Sequence, residues 1–118
     1  MVKLSRFALI CGLMMCASSP SEAHGHIEEG EELFEQHCAT CHGVDGDGNG
    51  EAGQDLMPPP ANLLDAMQKR IVSDEYLMWT IREGGRNVHT DMPSFEERDT
   101  IGEAEAKKII RYMWHAFK

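Results

Sequence analysis

Residues 38–43 read CATCHG, set between GEELFEQH on one side and VDGDGNG on the other. Two thiols three positions apart, with an imidazole directly after the second, make a compact group of soft ligands. Four kinds of chemistry use such a group: a disulfide, a zinc site, a thiol redox centre, or a covalent link to a cofactor.

The first three fit poorly. A disulfide between Cys38 and Cys41 closes too small a loop to staple a domain. Zinc takes four ligands, or three and a water. Cys38, Cys41, His42 and the distant His89 offer four, but adjacent Cys41 and His42 are awkward on one tetrahedral ion, and no second cysteine pair stands nearby in the sequence. Thiol exchange wants an accessible, low-pKa cysteine at a helix N-terminus. Here the cysteines fall toward the C-terminal part of a predicted helix, with no strand before it. What remains is C-x-x-C-H as the mark of covalent haem attachment. One helical turn separates Cys38 from Cys41, so both thiols reach the two vinyl groups on one porphyrin edge. His42 then turns its imidazole toward the iron.

The start of the chain supports this chemistry. Lys3 and Arg6 precede an uncharged run from Phe7 to Ala17, and Ser21 and Ala23 follow as the small residues a signal peptidase reads. That pattern predicts a secretory leader over 1–23, cleaved after Ala23, and a mature domain over 24–118 in the periplasm. The apolar run is well short of the ~20 residues a membrane span needs, so no transmembrane segment is expected in the mature chain. Cys11 and Cys16 lie within the leader and leave with it, and neither has the small residue before it that lipid modification requires. The whole chain carries 20 acidic and 11 basic side chains, a net charge of −9. Such a surface repels nucleic acid and anionic lipid, and draws in a partner with a basic face.

The rest of the mature chain reads as helices joined by long glycine- and proline-rich connections, with no strand pattern and no repeat. His24 to Gly30 is expected to be a frayed polar tail. Glu28 to Cys41 is predicted as a helix with its glutamates at the positive end. Gly30, Phe34 and Cys38 recur every four residues on one of its faces, and Gly30 lets another helix cross closely. GVDGDGNGEAG, residues 43–53, is a loop; its resemblance to a calcium loop fails for want of a glutamate at the twelfth position. Pro58, Pro59 and Pro60 stiffen the passage that follows, and a short helix is expected within 62–70. Ser73 caps the next helix, which Gly84 and Gly85 end. Residues 86–95 are irregular. Thr100 and Glu103 suggest a capping box for a terminal helix whose core stripe is Ala106, Ile109, Ile110, Met113 and Phe117.

If the iron is only to pass electrons it needs a sixth ligand. Met57, Met67, Met78, Met92 and Met113 are candidates, with His24, His26, His37, His89 and His115. Met67, Met78 and Met113 have packing explanations on helices, and Met57 lies too near His42 in sequence. Met92 sits in the irregular run NVHTDMPSF beside the rigid Pro93, 50 residues beyond His42, far enough for the chain to approach from the opposite face. His89, three residues earlier, is its main rival. A carbonyl of Pro58, Pro59 or Pro60 is a candidate acceptor for the second ring nitrogen of His42.

The ordered set GEELFEQHCATCHGVDGDGNG, LMPPPANL, YLMWTIREGG, MPSF and AKKIIRYMWHAF resembles a class I c-type cytochrome of the bacterial monohaem kind over about residues 30–117. The resemblance implies an all-α fold, three to five helices wrapped around one covalently bound haem c. Its first and last helices would cross where Gly30 and Phe34 meet Tyr112, and Met92 would be the distal ligand. It implies one-electron transfer, by a soluble carrier or by the cytochrome subunit of a respiratory oxidase, reductase or dehydrogenase. The chain would not be an enzyme by itself, and would work between a redox donor and acceptor. The competing function is a haem enzyme or gas sensor with a displaceable distal methionine.

Overall fold

A computed structural model describes residues 20–118 of the chain. The predicted apolar leader core, Phe7 to Ala17, lies outside the described residues. The elements are α1 (Pro20–His37), α2 (Ala39–His42), a 3-10 turn (Glu51–Gly53), α3 (Leu63–Ala66), α4 (Asp74–Glu83), α5 (Phe95–Arg98) and α6 (Glu103–Ala116). Among the described residues there is no strand, as the all-α reading requires. Only α1, α4 and α6 are longer than four residues, so three helices carry the fold and three single turns shape its connections.

The organising contact is the crossing of α1 over α6. A β-carbon added at Gly30 would lie 2.3 Å from the Lys108 carbonyl oxygen and 2.9 Å from the Tyr112 Cβ. Only a glycine allows the two backbones to come this close. One turn on, Phe34 is 1% exposed and its ring centroid stands 5.5 Å from that of Tyr112 and 5.2 Å from that of Phe117. Burying a side chain of that size contributes about 2–3 kcal/mol. The predicted stripe Ala106, Ile109, Ile110, Met113 and Phe117 is buried in full. Leu77 and Ile81 from α4, with Leu63 and Met67 from the α3 turn, close the core. The indole Nε1–H of Trp114 donates to Asp74 Oδ1 at 2.6 Å, joining α6 to the first turn of α4.

Several boundaries differ from the sequence reading. The expected frayed tail over 24–30 is instead helical, because α1 starts at Pro20. The helix expected to run unbroken to Cys41 breaks at Cys38 and restarts as α2. The terminal helix is not capped by Thr100 and Glu103. Its N-cap is Gly102, whose N–H donates to the Glu105 carboxylate at 3.0 Å. Ile101 and Ala106 are both buried, placed before the cap and on the fourth helical position as a hydrophobic staple requires. Moving the cap back to Thr100 would break that staple. The turn α5, which begins at the last residue of the run expected to be irregular, is capped by Ser94, whose hydroxyl oxygen accepts from the Glu97 N–H at 3.2 Å.

Candidate haem-attachment site

The backbone forms the site first. Cys38 bridges α1 and α2; its N–H still donates to the Phe34 carbonyl at 2.8 Å, and its carbonyl accepts from the N–H of His42 at 2.9 Å. Gly43, at φ 78°, stops α2 immediately after the histidine. The glycine-rich loop then folds back over the turn. The N–H of Gly48 donates to the His42 carbonyl at 2.8 Å, and that of Gly50 to the Cys41 carbonyl at 3.1 Å. A β-carbon on Gly50 would lie 2.3 Å from the Thr40 carbonyl oxygen, so no larger residue fits there. The loop is therefore a backbone brace for the two carbonyls at the end of α2.

Three donor groups come out of that turn. Cys38 and Cys41 are half-buried and both free. Burial, and secondarily the neighbouring Cys41, pushes the Cys38 thiol up to about 12. A thiol held protonated at neutral pH is a poor exchange nucleophile, which counts against Cys38 in the thiol redox reading. The ring of His42 meets the carbonyl oxygen of Ala61 at 3.0 Å through Nδ1. A carbonyl can only accept, so Nδ1 carries the proton and Nε2 is left with its lone pair for a metal. Burial holds the His42 pKa below its ordinary value, against the opposing pull of the Ala61 carbonyl. Burial, the larger effect, favours the neutral imidazole a ligand needs, and the Ala61 bond fixes its tautomer and orients it from behind.

The acceptor is thus Ala61 and not Pro58, Pro59 or Pro60. The proline run directs the chain to the ring, but the bond forms one residue past it. The Pro60 carbonyl is turned instead toward Gly48, 2.8 Å from where a β-carbon there would stand. Asn62 follows, its side chain accepting from the Asp65 N–H at 3.2 Å, and this cap fixes where the extended passage ends.

The methionines separate clearly by environment. Met67 and Met113 are core residues, 1% and 6% exposed, and the half-buried Met78 faces the cleft between α4 and α6. Met57 is 84% exposed. Met92 is half-buried against the core, and its carbonyl accepts from the Gly85 N–H at 2.8 Å. His89 is exposed, at φ 56°.

The donor set fits haem c. Two unpaired thiols and an oriented neutral imidazole stand in one turn, with a loop thioether on a separate segment. In the sequence between His42 and Met92, Val44, Met57, Leu64, Ile71, Tyr76, Trp79 and Val88 are exposed large apolar side chains. Among the described residues, no three His, Cys, Asp or Glu side chains gather into a metal site of their own.

Depressed protonation of His42 has a measurable consequence in the haem-free chain. Unfolded, the ring binds a proton below about pH 6.5, while the folded ring resists it. The unfolded state then holds more protons, so stability falls as pH drops from that value toward the depressed one. The urea midpoint of the haem-free wild type, measured in an osmolyte that restores its fold, is expected to fall between pH 7.5 and 5.5 by more than that of His42→Gln. Equal losses would show that burial of this ring does not couple to folding.

A CxxCH turn braced by a glycine loop, a histidine steadied by a backbone carbonyl, and first and last helices crossed at a glycine define a class I c-type cytochrome. Residues 25–113 match the family model described as Cytochrome C oxidase, cbb3-type, subunit III, and the chain belongs to that family. It is similar to the Cbb3-type cytochrome c oxidase subunit FixP of Sinorhizobium medicae (strain WSM419), with 38% identity over 109 residues. That match covers 86% of this chain and 31% of the relative, so the chain spans about a third of the length of that protein. No solved structure matches it.

Proposed function

We propose that the chain is a periplasmic one-electron transfer domain with a single haem c, exported by a leader cleaved after Ala23, that works docked to a respiratory oxidase complex. Cys38 and Cys41 would hold the group covalently, and His42 and Met92 would ligate its iron. The observation that carries the reading is the Nδ1–H of His42 donating to Ala61, directly after the paired thiols. When bound, the group supplies a one-electron couple. The protein's part is to keep geometry constant between oxidation states: Ala61 holds the ring of His42, the loop amides hold its backbone, and the Met92 thioether would occupy the iron position that small molecules otherwise take.

Charge placement supports a docked partner with a basic face. Residues 24–68 carry ten acidic side chains and no lysine or arginine, while residues 69–118 carry nine of each sign. The whole excess therefore lies in the half that contains the CxxCH turn. A cleft of about 500 Å³ beside that turn is lined by Glu35, Asp45, Asp47 and Glu51, none of them ion-paired among the described residues. In the other half Glu83, Glu96, Glu97 and Glu103 are each paired with an arginine or lysine.

The test is spectroscopic. The oxidised wild type is expected to be low-spin with the weak far-red band of methionine sulfur on iron, and the reduced protein to bind carbon monoxide slowly. Met92→Ala should lose the band and bind carbon monoxide rapidly. A wild type that is high-spin and binds the gas at once would favour a gas sensor or haem enzyme with an open distal side.

A further inference from the structure

The segment bearing Met92 is fastened at two points to one end of α4. Before Pro93, the Met92 carbonyl accepts from the N–H of Gly85, just past the helix. After Pro93, the Ser94 hydroxyl donates to the carbonyl of Arg82 at 2.7 Å, in the last turn of α4. That carbonyl is one of the four that a helix end leaves without an intrahelical partner. Ser94 is only 8% exposed, and its oxygen also accepts from the Glu97 N–H, which starts α5. One buried hydroxyl thus finishes one helix, begins another, and fixes the chain two residues from Met92.

Outside this buried bond the segment is strapped by exposed ion pairs, Arg82 with Glu96 and Arg86 with both Glu83 and Glu97. Exposed pairs contribute little, because solvent screens them and long side chains lose freedom in making them. Breaking the buried hydroxyl contact leaves the Arg82 carbonyl short of its donor, which is the more expensive loss. The hydroxyl, not the ion pairs, therefore governs how firmly the segment is held.

We propose that Ser94 is a positioning residue for the distal ligand: its bond to Arg82, with the Gly85–Met92 bond, holds the methionine backbone in place before iron is bound. The inference rests on the assignment of Met92 above. A thioether is neutral and a modest ligand, so its hold on iron depends on how little ordering the loop still needs. Removing the Ser94 hydroxyl adds that ordering cost and favours any competitor for the sixth position.

The experiment titrates imidazole into the oxidised holoprotein and follows the far-red band. Ser94→Ala is expected to keep its covalent haem and helix content, yet to bind imidazole about tenfold more tightly than wild type. Ser94→Thr, which keeps the hydroxyl, should return to within about twofold, and Arg86→Gln should change the affinity by less than about twofold. Wild-type imidazole affinity in Ser94→Ala would overturn the positioning role while leaving Met92 as ligand. A Ser94→Thr variant that binds imidazole as tightly as Ser94→Ala would also overturn it, by showing that packing and not the hydroxyl matters. A wild type without the far-red band overturns the ligand assignment and the positioning role together. Amide exchange of the wild type decides the matter without a variant: the Gly85 N–H should exchange as slowly as amides inside α4, and free exchange there would contradict a preformed seat.

Discussion

Replacing Cys38 and Cys41 together by alanine is expected to yield a protein from which porphyrin is removed completely by acid acetone, whereas the wild type keeps it. Without the thiols, nothing but coordination and apolar contact holds the group, and both end when His42 is protonated and the fold opens. The loss reaches beyond the cofactor. A domain of this size has a limited apolar core, and Met57, Ile71 and Val88 are exposed. Hiding several hundred Å² of porphyrin contributes on the order of 10 kcal/mol at about 25 cal/mol per Å². That is comparable with the whole net stability of a small domain. The double variant should therefore accumulate poorly and melt broadly. Cys38→Ala alone should retain porphyrin through Cys41, with the changed absorption of a single thioether. Retention of acid-stable porphyrin by the double variant would show that attachment lies elsewhere in the chain.

The CxxCH turn was legible because its geometry is local: two thiols and an imidazole share one turn whatever surrounds them. The stripe of α6 and the cap at Ser73 were equally plain, since each depends on residues within four positions. The acceptor for His42 was missed by one residue. Prolines announce a stiff path, but which carbonyl meets the ring depends on how the passage lies against Gly48, a contact across 12 residues of sequence. The start of α6 was misplaced for a different reason. Thr100 with Glu103, and Gly102 with Glu105, offer the same spacing, and burial of Ile101 decides between them. The Ser-x-x-Glu spacing of Ser94 and Glu97 stands in the sequence, but α5 is a single turn and too short to show a helical period around it. There the reciprocal half of the box is not made; the Glu97 carboxylate is taken by Arg86 instead.

The second large effect is expected from Gly30→Ala, a change of one methyl group. Helix propensity alone argues for stabilisation, since alanine is better than glycine inside a helix by about 1 kcal/mol. Packing argues the other way. The new β-carbon would stand 2.3 Å from a backbone oxygen of Lys108 and 2.9 Å from its carbonyl carbon, and backbone on a helix does not swing aside as a side chain does. Relief requires α1 and α6 to separate, which loosens Phe34 against Tyr112 and Phe117 one turn away. Overpacking of this kind costs about 1–3 kcal/mol, and the clash here with main chain belongs at the upper end. The partly exposed Lys108–Glu29 pair at the same crossing is too weak to offset it. The net loss is about 2 kcal/mol, which lowers the melting temperature of a domain this size by about 10 °C. Gly30→Leu should lose more, because its side chain has no space between the helices. Melting of Gly30→Ala at or above the wild-type temperature, followed by far-UV circular dichroism on the holoprotein, would mean that propensity outweighs the contact and that the two helices are not locked at this point.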